Sequence, residues 1–377
     1  MIPFGSFKIG RILGIDLEIN YTWFLVFALV TGSFSLVFRQ ELSSLSLFIS
    51  IILAVFTAAL FFVSVLLHEL SHSYVAKRNS LEIKKITLFI FGGVAQMTEE
   101  PSSPQVEFKM AIAGPSMSLF LSLLFLSVWL FGTLMNFGPV LPAPFALLAE
   151  INLGLAVFNL LPGFPLDGGR VARAALWYFL KDLRKATRIA SYAGRGIAFL
   201  LIFAGFAGFV SDLNFGGLWL VLIGGFLNNA ARQSYKQLEM QQVLSKVKVG
   251  EMMVKGDLSV HPDAPIDLVA GGYDRSYRLE SLPVVEDGRL LGIIRVRDIK
   301  EVPRANWPVT TARQLTKPAN EEIVISPDED AFKALIKMAQ ANVRHLLVME
   351  DGQLRGVISK SDVLRSAKNS LQEFPSV

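Results

Sequence analysis

The chain has 377 residues, of which 52% are hydrophobic, 18% are charged and none is cysteine, with a formal net charge of +4. A soluble domain carries about 25% charged residues, so this deficit, with a mean hydropathy of +0.46, points to a part that lies in lipid. The missing cysteines exclude disulfides, cysteine metal ligands and a cysteine nucleophile, and the absence of a basic stripe interleaved with aromatics argues against a nucleic-acid partner.

In chain order, residues 7–19 alternate loosely around Gly10 and Gly14 and read as a juxtamembrane hairpin within a segment 1–20. Lys8 and Arg11 precede an apolar run, but no small-residue cleavage site follows, so a cleaved leader is not expected. Six apolar stretches come next, at 21–38, 47–76, 108–131, 146–161, 189–210 and 215–230, and each reads as a span within a domain at 21–230. The fourth and sixth are short, and Pro162, Gly163 and Pro165 cut off the fourth. Broken helices at membrane depth belong where they line a cavity or pack inside protein. Lys77, Arg78, Lys84 and Lys85 follow the second span, and Arg170, Arg173, Lys181, Arg184, Lys185 and Arg188 follow the fourth, whereas the opposite loops are nearly bare. That bias places both termini in the cytosol of a multi-pass protein of the cell membrane. Residues 231–246 are polar and read as a connecting helix. Two copies of a repeat of about 60 residues follow, at 247–304 and 310–368. Each reads strand, helix, strand, turn, strand, helix, with Glu-Asp-Gly at its hairpin.

The chemistry concentrates at the end of the second span, in Leu67-His68-Glu69-Leu70-Ser71-His72. Residues four apart share one helix face, so His68 and His72 can aim both imidazoles at one metal ion, with Glu69 beside them to take a proton from a water there. The competing reading is a pair of packed histidines, which weakens in a span because intramembrane ionisable groups are costly. A catalytic zinc usually takes a third protein ligand. Asp167, in Asn159-Leu-Leu-Pro162-Gly-Phe-Pro165-Leu-Asp167-Gly-Gly, falls at similar depth, since both spans run toward the cytosol. Zn²⁺ with neutral histidines, Asp167 and Glu69 sums to zero charge, which suits a low-dielectric site. Taken alone, Asp-Gly-Gly also suits a helix cap or turn. His261 and His345 read as structural.

These motifs, with Ala113-Gly114-Pro115 and Phe91-Gly92-Gly93-Val94, resemble the site-2 protease family of intramembrane zinc metalloproteases, in the prokaryotic branch with a C-terminal pair of CBS (cystathionine-β-synthase-type) domains. The resemblance implies one catalytic Zn²⁺ per chain on His68, His72 and Asp167, Glu69 as the base, and Asn159 binding substrate or oxyanion. It also implies regulated intramembrane proteolysis of single-span substrates. Residues 86–97, including Phe91, Gly92, Gly93 and Val94, are β-prone; they read either as an edge strand that pairs with an unwound substrate or as a strand that packs the site. The repeats resemble CBS motifs, which implies an adenine-nucleotide regulator at Ser359 and Asp362 and, in the first copy, Asp298. Arg295 replaces the hydroxyl residue there and puts that site in doubt. A homodimer through the pair is a further expectation. The expected architecture is therefore an α-helical polytopic membrane domain with about six spans and short β elements, plus a cytosolic α/β CBS pair. The rival reading is a CBS-regulated transporter or channel binding a divalent cation, against which stands the lack of internal symmetry among the spans.

Overall fold

The structure is a computed structural model, and it describes residues 5–42, 45–90, 92–97, 101–212, 215–255, 259–272, 281–318 and 323–373. Two units divide the chain, Met1–Tyr235 and Lys236–Val377, and the division falls inside a helix.

In the first unit, β1 (Ser6–Ile12) and β2 (Ile15–Asn20) form the expected hairpin. It turns through Leu13 and Gly14, both at positive φ, the geometry of a tight hairpin turn. Next come α1 (Thr22–Glu41), α2 (Leu47–Arg78), β3 (Ile83–Phe89), β4 (Gly92–Met97) and α3 (Pro104–Leu134), then α4 (Ala143–Asn159), α5 (Asp167–Leu180), α6 (Leu183–Asp212) and α7 (Phe215–Leu244). Serines start the two longest helices. Ser46 accepts from the Ile49 N–H and Ser103 from the Val106 N–H, with Pro104 in the first turn of α3. Among the described residues, four helices, α1, α2, α3 and α6, are long and apolar enough to cross a membrane, and α4 is a shorter apolar helix. Their outer faces carry exposed Phe48, Phe120, Leu200 and Phe203, as lipid contact requires. Small polar residues, among them Thr57, Ser64, Ser118, Ser122 and Asn152, are buried between helices. The four strands lie in the order β1-β2-β3-β4, with β2 and β3 parallel, so β4 stands at the end of the sheet.

The first unit departs from the sequence reading in three ways. Residues 162–188, read as a connection, contain the 14-residue helix α5, which begins at Asp167. Arg173, counted among the loop cations, is 7% exposed and faces a carboxylate on α3. The sixth apolar stretch and the connecting helix are one helix, α7, because residues 231–244 contain no Gly or Pro to interrupt a run of good helix formers.

The second unit continues with α8 (Val249–Met252), α9 (Ile266–Gly272), β5 (Ser281–Glu286), β6 (Arg289–Arg295), α10 (Val296–Glu301), α11 (Ala312–Leu315), β7 (Val324–Ile325), α12 (Ala331–Gln340), β8 (His345–Glu350), β9 (Gln353–Ser359) and α13 (Lys360–Glu373). Both Asp-Gly hairpins close with Asp287, Gly288, Asp351 and Gly352 at positive φ. One five-stranded sheet, β5-β6-β9-β8-β7, joins the two copies.

Their cores exchange segments. Leu244 and Val249 pack with Ile325, Met338, Leu346 and Ile358 of the second copy, while Ala312 packs with Ile266, Val284 and Ile294 of the first. Backbone bonds follow the same exchange, Val254 pairing with Val357 and Lys317 with Ile293. A side chain at Gly292 would lie 2.3 Å from the Lys317 carbonyl, and one at Gly356 2.5 Å from the Val254 carbonyl. The motif glycines are therefore where the exchanged segments cross closest. Neither copy has a complete core alone.

Candidate metal centre

The i, i+4 spacing of His68 and His72 on α2 does what helical geometry requires, and their Nε2 atoms lie 3.2 Å apart. Asp167 reaches them from a residue 99 positions away. Its Oδ2 lies 3.1 Å from His68 Nε2 and 3.2 Å from His72 Nε2. Ligand atoms ~2.0–2.1 Å from a tetrahedral zinc stand roughly 3.3 Å from one another, so the three atoms match the corners of such a site. They are the group among the described residues able to hold a metal ion.

Each imidazole is turned by its other nitrogen. His72 Nδ1 lies 2.6 Å from the Met110 carbonyl. A carbonyl only accepts, so Nδ1 carries the proton and Nε2 presents its lone pair. His68 Nδ1 lies 2.8 Å from Ser118 Oγ, a second partner of the kind that orients a ligating histidine. Both come from α3. Gly114, on the same helix, lies under the imidazoles. A methyl there would sit 2.2 Å from His72 Nε2 and 2.6 Å from His68 Nε2, filling the volume where a metal would lie. The donor set and this space fit a zinc ion.

Asp167 is delivered by a folded turn. After Asn159 ends α4, a methyl on Gly168 would lie 2.2 Å from the Leu160 carbonyl oxygen, one on Gly169 2.3 Å from the Gly163 carbonyl carbon, and one on Gly163 2.3 Å from Gly194 Cα of α6. The Phe164 N–H donates to the Ala190 carbonyl of α6 at 3.2 Å. These glycines permit backbone contacts that any larger residue would block, and so hold the start of α5 against α6. One and a half turns into α5, the Arg173 Nε donates to the Glu107 carboxylate of α3 at 2.6 Å, and Glu107 is fully buried. Arg173 also lies over the Phe164 ring. The ion pair thus ties the helix that starts with Asp167 to the helix that orients both histidines.

Glu69 points toward the sheet. A methyl on Gly93 would lie 2.4 Å from Glu69 Cγ, so β4 runs directly against the acid. Gly92 has φ +122, and Val94 is exposed. Phe91 lies outside the described residues. Asn159 is the last residue of α4 and half-buried; among the described residues its side chain makes no hydrogen bond. Sequence reasoning missed Ser118, the Met110 carbonyl and the Glu107–Arg173 pair. Ser118 was findable, standing one helical turn beyond Gly114; the ion pair carried no local signal.

The candidate nucleotide residues are partnered nearby. Ser359 Oγ bonds the Asp362 carboxylate and accepts from the Asp362 N–H at 3.1 Å, the arrangement of a helix cap at the start of α13. Asp298, in the first turn of α10, takes the Lys317 ammonium at 2.9 Å. That hydrogen bond holds its carboxyl below the usual range, against a smaller opposing effect of burial. His345 begins β8, and His261 Nδ1 accepts from the Asp263 N–H.

Comparison with known proteins gives a consistent picture. The model of peptidase family M50 matches residues 56–137 and 132–203, and the CBS-domain model matches 249–304 and 312–369. The chain is 32% identical over 375 residues to a putative zinc metalloprotease of Synechocystis, covering 97% of this chain and 96% of that one. A zinc metalloprotease of Methanocaldococcus jannaschii is 32% identical over 362 residues, with 96% of each chain covered. Among solved structures, the site-2 protease from M. jannaschii aligns with 61% of this chain and 95% of its own at 32% identity, with a TM-score of 0.42.

Proposed function

Because this chain belongs to the zinc metalloproteases of peptidase family M50 and carries a CBS pair, we propose that it cuts membrane-spanning substrates at a peptide bond in or near the span. The observation that carries this reading is the convergence of His68 Nε2, His72 Nε2 and Asp167 Oδ2 to within 3.2 Å, with Glu69 on the same helix beside an edge strand. His68, His72 and Asp167 would hold the zinc, which when bound polarises water and a substrate carbonyl. Glu69 accepts the proton of the attacking water and returns it to the leaving amine. The Met110 carbonyl keeps His72 in the tautomer that leaves Nε2 free, and Ser118 fixes the orientation of the His68 ring. Asn159 is assigned to the substrate carbonyl as a hydrogen-bond donor.

A peptide bond in an intact helix is shielded, so the substrate must unwind near the site. Among the described residues β4 has no strand on its outer edge, and that edge suits an unwound segment, which would add as a strand and lie against Glu69. Gly92 and Gly93 keep the edge bare of side chains there. The six apolar helices α1–α4, α6 and α7 are read as six spans, with both termini and the CBS pair in the cytosol, from the excess of Lys and Arg in the 77–106 and 162–188 segments. Adenine nucleotide at Ser359 and Asp362 is the assigned regulator, and a second copy the assigned partner of the CBS pair.

Incubation of purified protein with single-span substrates, with and without a zinc chelator, tests the core of this reading. Glu69→Gln is expected to keep zinc and lose cleavage by ~10²–10⁴-fold, the worth of a general base. Wild-type rates in that variant would remove Glu69 from its role. For topology, single cysteines at Gln40 and Asn136 are expected to react with an impermeant reagent in intact cells, and one at Gln237 is not. Labelling of Gln237→Cys from outside inverts the orientation.

A further inference from the structure

Glu150 stands on α4, in the middle of an otherwise uncharged 17-residue helix. Its height is fixed by its neighbours. Ser122 Oγ of α3 donates to the Ala149 carbonyl at 2.7 Å, and Asn152 Nδ2 donates to Ser64 Oγ of α2 at 3.4 Å. From Ser122, α3 continues 18 residues to Pro104 and 12 to Leu134, about 27 Å and about 18 Å at the helical rise. From Ser64, α2 continues 17 residues to Leu47 and 14 to Arg78, about 26 Å and about 21 Å. All four lengths exceed half of a hydrocarbon layer about 30 Å thick. The level of Ala149 and Asn152, and with it Glu150, is therefore near mid-membrane.

At that level Glu150 is exposed, and among the described residues it has no hydrogen-bond or ion-pair partner. A carboxylate facing hydrocarbon is costly, and such groups mark functional surfaces. The face it heads continues down α4 through Leu153, Gly154 and Val157 to Leu160 at the helix cap, all exposed. Nothing lies within 4 Å of where a Gly154 side chain would begin, which leaves a notch where another helix could approach closely. At its lower end the face reaches Asn159 and the turn to Asp167.

We propose that this face of α4 is the docking track for the substrate's transmembrane helix, with Glu150 accepting a hydrogen bond from an amide, hydroxyl or ammonium side chain in the middle of that helix. The inference rests on the proteolytic reading above and adds a specificity-determining residue to it. Lipid tails offer Glu150 no donor. A symmetric second copy docked through the same face would offer Glu150 only Leu153, Gly154, Val157, Leu160 and another Glu150, none of which has a side-chain donor when Glu150 is ionised. A substrate span offers both a donor and a reason for the track to end at the metal centre. Glu150 precedes Asn159 by nine residues, about 14 Å along the helix. The donor therefore falls between about four residues (extended chain) and about nine (helix) from the cleaved bond.

The test uses the full-length, zinc-loaded protein in lipid nanodiscs and two single-span peptides with a Leu/Ala host sequence, one with Asn and one with Leu at mid-span. The wild type is expected to favour the Asn peptide by about 3- to 20-fold in kcat/KM, the range for a hydrogen bond between membrane helices. The preference should lie in KM. Glu150→Leu is expected to abolish that preference while its zinc content stays at one per chain. In a second arm, Glu150→Cys or Gly154→Cys in the Glu69→Gln background is oxidised with peptides carrying one cysteine. The chain has no other cysteine, and the preferred crosslink should move along the peptide by about one helical turn between the two positions. An undiminished preference in Glu150→Leu, or disulfides that join two copies and not the peptide, would overturn the proposal. If neither peptide is cut but the crosslinks form, docking stands and the proteolytic reading fails; if both are cut equally by the wild type, the reverse holds.

Discussion

The metal centre of the first unit and the candidate nucleotide motif of the second both announce themselves as short strings, yet their side chains find partners at different distances along the chain. His68 meets Ser118 and Asp167, 50 and 99 residues away, and Arg173 meets Glu107 across 66. Ser359 meets Asp362, three residues on, at the start of its own helix. A local cap stabilises a helix whether or not a ligand is present. A cluster drawn together from three helices, with two imidazoles and a carboxylate in mutual contact, has no comparable local task. Long-range convergence is therefore the stronger sign of a site, and the comparison can be pressed at both ends.

The largest effect is expected at the convergent end. Asp167→Ala should reduce bound zinc from one per chain to near zero in metal analysis of purified protein, because two histidines alone make a weak site. Ser118→Ala should leave zinc bound but weaken it by ~10–100-fold, the usual effect of losing the partner of a ligating histidine, measured by competition with a chelator. Full occupancy in Asp167→Ala would remove it from the ligand set.

Next in size is the Glu107–Arg173 pair. Removing Glu107 leaves the buried Arg173 without its carboxylate, so Glu107→Leu should destabilise the protein by ~3–5 kcal/mol, and Arg173→Met should cost less because Arg170 stands 4.0 Å from Glu107. The double variant should recover much of the loss, since apolar residues replace both charges. Thermal melts in detergent read this directly. Equal losses in the double and single variants would mean that the ion pair is not the source.

The smallest effects belong to the local end. Ser359→Ala should cost about 1 kcal/mol through the lost cap of α13. If the same substitution also abolishes heat release on titration with ATP, ADP or AMP, the motif binds nucleotide; if melting shifts and no wild-type binding is seen, the cap is its whole role. For Asp298 the sign follows from its lowered pKa. The contribution of its bond to Lys317 is present above the ordinary carboxylate pKa near 3.8 and is lost as pH falls through the still lower folded value. Asp298→Asn should therefore narrow the difference in melting temperature of the CBS pair between pH 7 and pH 3.

Much of this was legible without coordinates. Residues 68 and 72 share a helix face because the helical period makes them do so, and Asp287-Gly288 and Asp351-Gly352 turn hairpins because those residues tolerate positive φ. Apolar runs separate the helices of the first unit, and the repeat marks the second. Each of these is decided by sterics and periodicity within a few residues. What only tertiary packing decided depends on segments far apart. Asp167 is a candidate ligand and not merely a turn residue because Gly163, Gly168 and Gly169 let the chain fold back against α6. Arg173 is a buried partner of Glu107 and not a surface cation because α5 lies on α3. The two CBS copies complete each other's cores because residues 249–254 and 312–317 cross between them. Glu150 is exposed because α3 and α2 pack on the other side of α4, through Ala149 and Asn152 respectively. Burial and partnership belong to the assembled surfaces, and no window of sequence contains both sides of a contact made across 50 to 100 residues.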